Sequence, residues 1–260
     1  MLVGAAWAAP VTLGAAGGLQ ATLVGDGPAD SRLAAAGSNP PGHFLHPLQT
    51  ASGKILTELY PADHIHHRGL FWGWRQVLLN GKPIANNWLM QGMRIHQTSA
   101  VTSADGGVTS TAMWRVDGKD ILEERLTARI ESNRLDMQVE LRPKVPGLSL
   151  GGSSDAKEYG GVSLRLVQSD RLNFESGGKQ VLATVGPVDA GRSMRMTWDA
   201  GVDAPATSVT LSCTVDGKPI TRWILRRETS MQNCVWPGRS PMLLSMREPV
   251  KLGATLLVEP

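Results

Sequence analysis

The sequence predicts an all-β protein, a large antiparallel β-sandwich with little helix. Three observations carry that expectation. From about residue 92 onward apolar and polar residues alternate with a period of two, the pattern of strands that rest one face on a core. Dipeptides that tolerate positive φ in tight hairpins punctuate the chain: Asn80-Gly81, Asp105-Gly106, Asp117-Gly118 and Asp216-Gly217. No segment carries a sustained apolar stripe of period 3.6 with a cap and a stop.

Taken in chain order, the first clear strand sets Val108, Ser110, Ala112, Trp114 and Val116 against Thr109, Thr111, Met113 and Arg115. In the next, Leu122, Leu126, Ala128 and Ile130 face away from Glu123, Arg125, Thr127 and Arg129. Leu135, Met137, Val139 and Leu141 then interleave with Asp136, Gln138, Glu140 and Arg142. Further strands are expected at Val162-Leu164-Leu166, Met194-Met196-Trp198, Val209-Leu211-Cys213-Val215 and residues 252–258. One apolar and one polar face per strand suits antiparallel sheets stacked on a shared core. Residues 37–42 and 146–154, rich in Pro, Gly and Ser, read as loops because strands continue on both sides. A single sandwich domain over residues 10–260 is expected, since such folds reach ~200–250 residues as one unit.

Composition narrows the function classes. A chain that is 42% hydrophobic with a net charge of +3 is too apolar for a disordered protein. No run approaches the ~20 apolar residues of a spanning helix, so membrane insertion is not expected. The 26 Lys and Arg are scattered, without the basic stripe of a nucleic-acid binder. Ala6-Trp7-Ala8 fits a signal-peptidase site, so residues 1–9 read as the remnant of a secretion signal and the protein as periplasmic or secreted. Cys213 and Cys234 match no zinc-ribbon or redox spacing; they either pair in an oxidising compartment or stay as two buried thiols.

All six His lie between His43 and His96, centred on Asp63-His64-Ile65-His66-His67-Arg68-Gly69. Flanking Pro61 and Gly69 place this string in a loop or at a strand end, where side chains are held at clefts. Two chemistries compete with simple packing of these rings on Trp72 and Trp74. As a metal centre, His64 and His66 would point to one side with His96 or His46 completing the set, and neutral imidazoles would select a divalent transition metal. As acid–base machinery, one His would exchange protons with a substrate while Asp63 or Glu58 orients it. Eight Trp stand against two Tyr and three Phe, and Trp72, Trp74 and Trp88 neighbour the cluster. An indole suits the CH-rich face of a pyranose, although Trp114 and Trp198 lie on apolar strand faces and read as core.

The same residues carry a family likeness. His43-Phe44-Leu45-His46-Pro47-Leu48, Ser52-Gly53 and the Asp63–Leu70 string, followed by Asn80-Gly81 and Trp88, resemble the PmoA-like family of bacterial proteins. Gly92-Met93-Arg94-Ile95-His96 and Lys157-Glu158-Tyr159-Gly160-Gly161 resemble its next two elements, with Tyr159 inserted and Ile65 in place of a Pro. The resemblance covers roughly residues 41–165. It implies a secreted β-sandwich similar to the galactose-mutarotase supersandwich and carbohydrate chemistry, but no established reaction. The methane-oxygenase label attached to that family belongs to an integral membrane subunit, which this chain does not resemble.

Together these readings predict an exported carbohydrate-active enzyme, a glycoside hydrolase or lyase, with a groove lined by His and Trp. His64, His66 and His67 are the candidate bases or ligands, Glu158 the complementary acid, and Arg68 the clamp for a carboxylate or hydroxyl. His46, Trp72, Trp74, Trp88 and Lys157 are candidate carbohydrate contacts. His64, His66 and His96 are the candidate metal set. The alternatives are a non-catalytic carbohydrate- or metal-binding module and a metal-dependent oxidase. No phosphate loop, GxSxG elbow or HExxH helix is present.

Overall fold

The structure, a computed structural model, describes residues 10–14, 17–25, 42–167, 172–198 and 207–259. The expected signal remnant at residues 1–9 and most of the expected loop at 37–42 lie outside the described residues. Among the described residues every regular element is a strand, and no helix is long and apolar enough to cross a membrane.

The strands pair antiparallel into three sheets. An eight-stranded sheet runs Val11–Leu13, Gln20–Val24, Phe44–Gln49, Leu70–Trp74, Gly160–Arg165, Met231–Val235, Arg222–Ile224 and Val188–Asp189. A ten-stranded sheet runs Lys179–Gln180, Asn173–Ser176, Ser193–Trp198, Thr207–Val215, Val250–Glu259, Arg134–Pro143, Lys119–Glu131, Val108–Val116 and Arg94–Thr102, with Lys218–Pro219 pairing off Thr207–Val215. A small sheet of four joins Met242–Leu243, Leu148–Gly151, Gln76–Leu79 and Lys82–Ala85. The all-β sandwich expectation is therefore met.

The inner faces of the two large sheets enclose one core. Leu45, Leu70, Trp72, Trp74, Val162, Leu164 and Cys234 come from one sheet, and Trp114, Leu122, Leu126, Val139, Leu211 and Leu252 from the other. Burying each large side chain contributes about 1.5–3 kcal/mol. Two features tie the sheets together inside this apolar layer. A disulfide joins Cys213 to Cys234, settling the two alternatives left open by their spacing. Glu124, fully buried, accepts from His43 Nδ1 at 2.7 Å and from Trp114 Nε1 at 2.7 Å, while His43 Nε2 meets Ser110 at 2.9 Å. His43 thus belongs to the core rather than to a surface cluster.

Residues 146–154 are not wholly loop, because Leu148–Gly151 is a strand paired with Gln76–Leu79. Leu148 and Leu150 alternate into the core there, beneath a Gly and Ser composition that reads as loop. Nor do Trp72 and Trp74 lie in a loop: Leu70–Trp74 is a central strand buried along its whole length. Gly160–Arg165 and Met231–Val235 are buried on both faces as well, because the sheet they share is covered outside as well as inside. The outer cover is a second apolar cluster, in which Phe71, Phe44 and Met231 pack with Trp88, Leu59, Tyr60 and Tyr159.

Candidate functional site

The outward-facing residues of that doubly covered sheet form the floor of the site. Phe71 on Leu70–Trp74, Arg165 on Gly160–Arg165 and Met231 on Met231–Val235 project from one face by strand alternation. Two segments lie over them: the histidine loop between Glu58 and Gly69, and the turn that carries Asn87 and Trp88. Gly73 permits the second approach, since a Cβ there would stand 2.9 Å from Asn87 Oδ1 and 3.3 Å from the Trp88 Cα. The loop itself is closed by Tyr60 N–H donating to His67 O at 2.8 Å and Gly69 N–H to Glu58 O at 2.9 Å.

Within the loop three imidazoles meet. His64 and His67 stack with ring centres 4.7 Å apart and planes 8° from parallel. His66 stands edge-on to both, at 5.7 Å from His64 and 4.7 Å from His67. His67 leans on Phe71 and Trp88, each at 6.2 Å. Beneath them the buried guanidinium of Arg165 donates to Glu58 at 2.9 Å, to both oxygens of Asp63 at 3.0 and 3.1 Å, and to His67 Nδ1 at 3.4 Å. A neutral His67 accepting at Nδ1 carries its proton on Nε2. Asp63 in turn holds His64 Nδ1 at 3.0 Å. Burial pushes the Asp63 carboxyl up, but the hydrogen bonds from His64 and Arg165 and the Arg165 charge outweigh it, so its pKa lies below the usual value.

Desolvation governs the rings. His66 is pushed down to about 3 by burial, with the charges of Arg68, His64 and Arg75 acting the same way. His67 is held well below its ordinary value by burial first and by His66, His64 and Arg165 second. Both rings are neutral at physiological pH and present nitrogens that donate or accept.

The three imidazoles open on a hollow of ≈ 190 Å³, walled also by Trp88, Tyr159, Met231 and Thr229, with Arg75, Lys157 and Asp155 at its margin. Tyr159 packs on Trp88 with ring centres 5.2 Å apart, and its hydroxyl oxygen accepts from Arg226 Nε at 3.0 Å. Asp155 accepts from Ser153 Oγ at 2.7 Å and from the Lys157 N–H at 2.9 Å. The structure thus brings together His64, His66, His67, Trp88 and Lys157 of the residues singled out in the sequence.

The others stand elsewhere. Arg68 is no clamp for a ligand: it is 1% exposed and donates to the carbonyls of His66 at 3.1 Å, Trp88 at 3.2 Å and Asn87 at 3.3 Å, lying over the Phe71 ring. Burial lowers its pKa to about 10, which still leaves it charged. Glu158 is no acid in this hollow either. Its backbone takes a φ of 57°, which turns it away from the flanking Lys157 and Tyr159 and onto Arg222, at 3.1 and 3.2 Å, with Arg239 at 3.8 Å. Trp72 and Trp74 lie under the sheet in the core, not against solvent. His46 bonds Thr57 at 2.9 Å outside the hollow, and burial pushes its pKa down to about 4. His96 lies on Arg94–Thr102, the edge strand of the ten-stranded sheet, so the set His64, His66, His96 is not assembled. Among the described residues no three of His, Cys, Asp and Glu are arranged to hold a metal ion.

Sequence reasoning missed Arg75, Asp155, Tyr159, Arg165, Thr229 and Met231. Two of them left a signal: Tyr159 is the extra residue in the Lys157–Gly161 run, and Arg165 is a charge on the non-core side of an expected strand. No curated protein matches the chain. Residues 31–260 match the Family of unknown function (DUF6807), and the chain belongs to that family.

Proposed function

We propose that this member of a family without an assigned activity is an exported carbohydrate-active enzyme that exchanges protons with a sugar in the histidine hollow. The observation that carries the reading is the packing of His64, His66 and His67 around one solvent-open space beside Trp88 and Tyr159. Tyr159, half-buried and backed by the buried Trp88, gives a pyranose an aromatic ring to rest against. His66, neutral and edge-on to its neighbours, accepts the proton. The hydroxyl of Tyr159, its oxygen already engaged by Arg226, keeps its hydrogen for the leaving oxygen. The carbohydrate likeness of the sequence supports the substrate class. Export is supported by the disulfide across the core, since such bonds persist in oxidising compartments.

The test is turnover of an oligosaccharide panel by the parent protein and by His66→Gln. The expected loss is about 10²–10⁴-fold. The backbone carbonyl of His66 that Arg68 uses remains, so the variant is expected to fold, with circular dichroism as the control. An equal rate in the variant, or no sugar altered by the parent, would reject the reading. A second reading, sugar binding without turnover, is favoured by the low pKa of His66, because a ring that titrates near 3 is a weak base. Saturable binding with no product in the same panel would establish it.

A further inference from the structure

Resting on the sugar-site reading above, we infer that the ligand is an anionic glycan of more than one residue, whose carboxylate or sulfate is held by Arg75 and Lys157 and whose chain continues into the adjoining groove. Three observations lead there. First, Arg75 is half-buried at the rim of the hollow, and no acceptor is paired with its guanidinium among the described residues. A planar fork without a partner beside a ligand-sized space matches a planar oxyanion. Second, Lys157 stands on the same rim, so that two cations there face one carboxylate, Asp155, which Ser153 and the Lys157 backbone hold in place. The rim therefore carries a net positive charge. Third, Lys157 and Thr229 also wall a second hollow of ≈ 470 Å³, beyond Tyr159, that contains Arg226 and Arg227. The inner hollow alone falls short of the ~300–1,000 Å³ of typical ligand sites. The two joined through Lys157 and Thr229 fall within that range; the outer one sets Arg226 and Arg227 against the single carboxylate of Glu228, and Arg226 is itself fixed on Tyr159 and the carbonyls of Thr184, Leu225 and Val185. One sugar sits among the imidazoles and its neighbour lies along Arg226 and Arg227, both under the influence of Lys157.

Titration calorimetry tests this with galacturonate oligomers from one sugar upward, chain-matched neutral galactose oligomers and chain-matched sulfated galactose oligomers. The anionic series is expected to bind at least tenfold more tightly than the neutral one and to weaken with added salt. Arg75→Gln should weaken the anionic series by about ten- to hundredfold and leave the neutral series unchanged. Arg227→Gln should weaken oligomers and spare the monosaccharide. Carboxylate and sulfate are separated by which anionic series binds better. Neutral and anionic oligomers bound equally, with Arg75→Gln silent, would overturn the anion claim while leaving a sugar site in place. An affinity that does not rise beyond one sugar would overturn the extended groove. No sugar of any charge bound would remove this inference and the proposed function together.

Discussion

The disulfide offers the most quantitative test of how the sandwich is held. Cys213 sits on Thr207–Val215 of the ten-stranded sheet and Cys234 on Met231–Val235 of the eight-stranded sheet, 21 residues apart in sequence. Cutting the link frees the denatured chain from a closed loop of that length. The chain-entropy relation, −2.1 − 1.5R ln n cal/mol/K with n of 21, amounts to about 3.3 kcal/mol at 25 °C. That is a large share of the ~5–15 kcal/mol that holds a typical domain folded. The double substitution Cys213→Ala with Cys234→Ala should lower the urea midpoint by about 1–2 M, for a slope of ~2–3 kcal/mol/M. Since both sulfurs are buried, thiol titration of the parent should find no free thiol until the protein is unfolded and reduced. Two titratable thiols in the parent, or an unchanged midpoint in the double variant, would refute the reasoning.

Other perturbations probe the core link, the loop and the floor separately. His43→Ala leaves Glu124 buried with only the Trp114 indole as donor, and urea denaturation should show a loss of about 3–5 kcal/mol. Acid should destabilise the fold below pH 6.5: His46, His66 and His67 stay neutral when folded and take up protons when unfolded. Each contributes a slope of at most about 1.4 kcal/mol per pH unit. The fall should continue below the ordinary carboxyl range, where Asp63 loses its bonds to Arg165. Stability that is flat between pH 7 and pH 5 would contradict the burial of these rings. Arg165→Met leaves Glu58 and Asp63 facing each other without their shared cation, and amide exchange should rise across residues 58–69 while the ten-stranded sheet keeps its protection. Gly73→Ala crowds the turn carrying Asn87 and Trp88, with an expected cost of about 1–3 kcal/mol in thermal unfolding.

Alternation told the truth wherever one face of a strand meets solvent. Val108–Val116, Lys119–Glu131 and Arg134–Pro143 are strands of the ten-stranded sheet whose outer face is wet, and their period of two was legible. Leu70–Trp74 was not, because Phe71 and Gly73 are covered as fully as Trp72 and Trp74, and an unbroken apolar run with a Gly does not distinguish strand from loop. The histidine string announced a site, and three of its rings do share one. What the string could not convey was direction. Arg68 turns inward to three carbonyls, Glu158 is swung away by one left-handed residue, and His43 enters the core with Glu124. Their counterparts in the hollow, Arg75, Tyr159 and Met231, come from distant stretches that only the pairing of three strands brings side by side.

Arg68 anchors more than its own loop. One guanidinium joins the segment bearing His66 to the turn bearing Trp88, so neither can lift away without stranding a positive charge in an apolar setting. The histidine segment and the aromatic turn are in effect soldered at a single point. The hollow they flank is thereby held as a socket moulded beforehand.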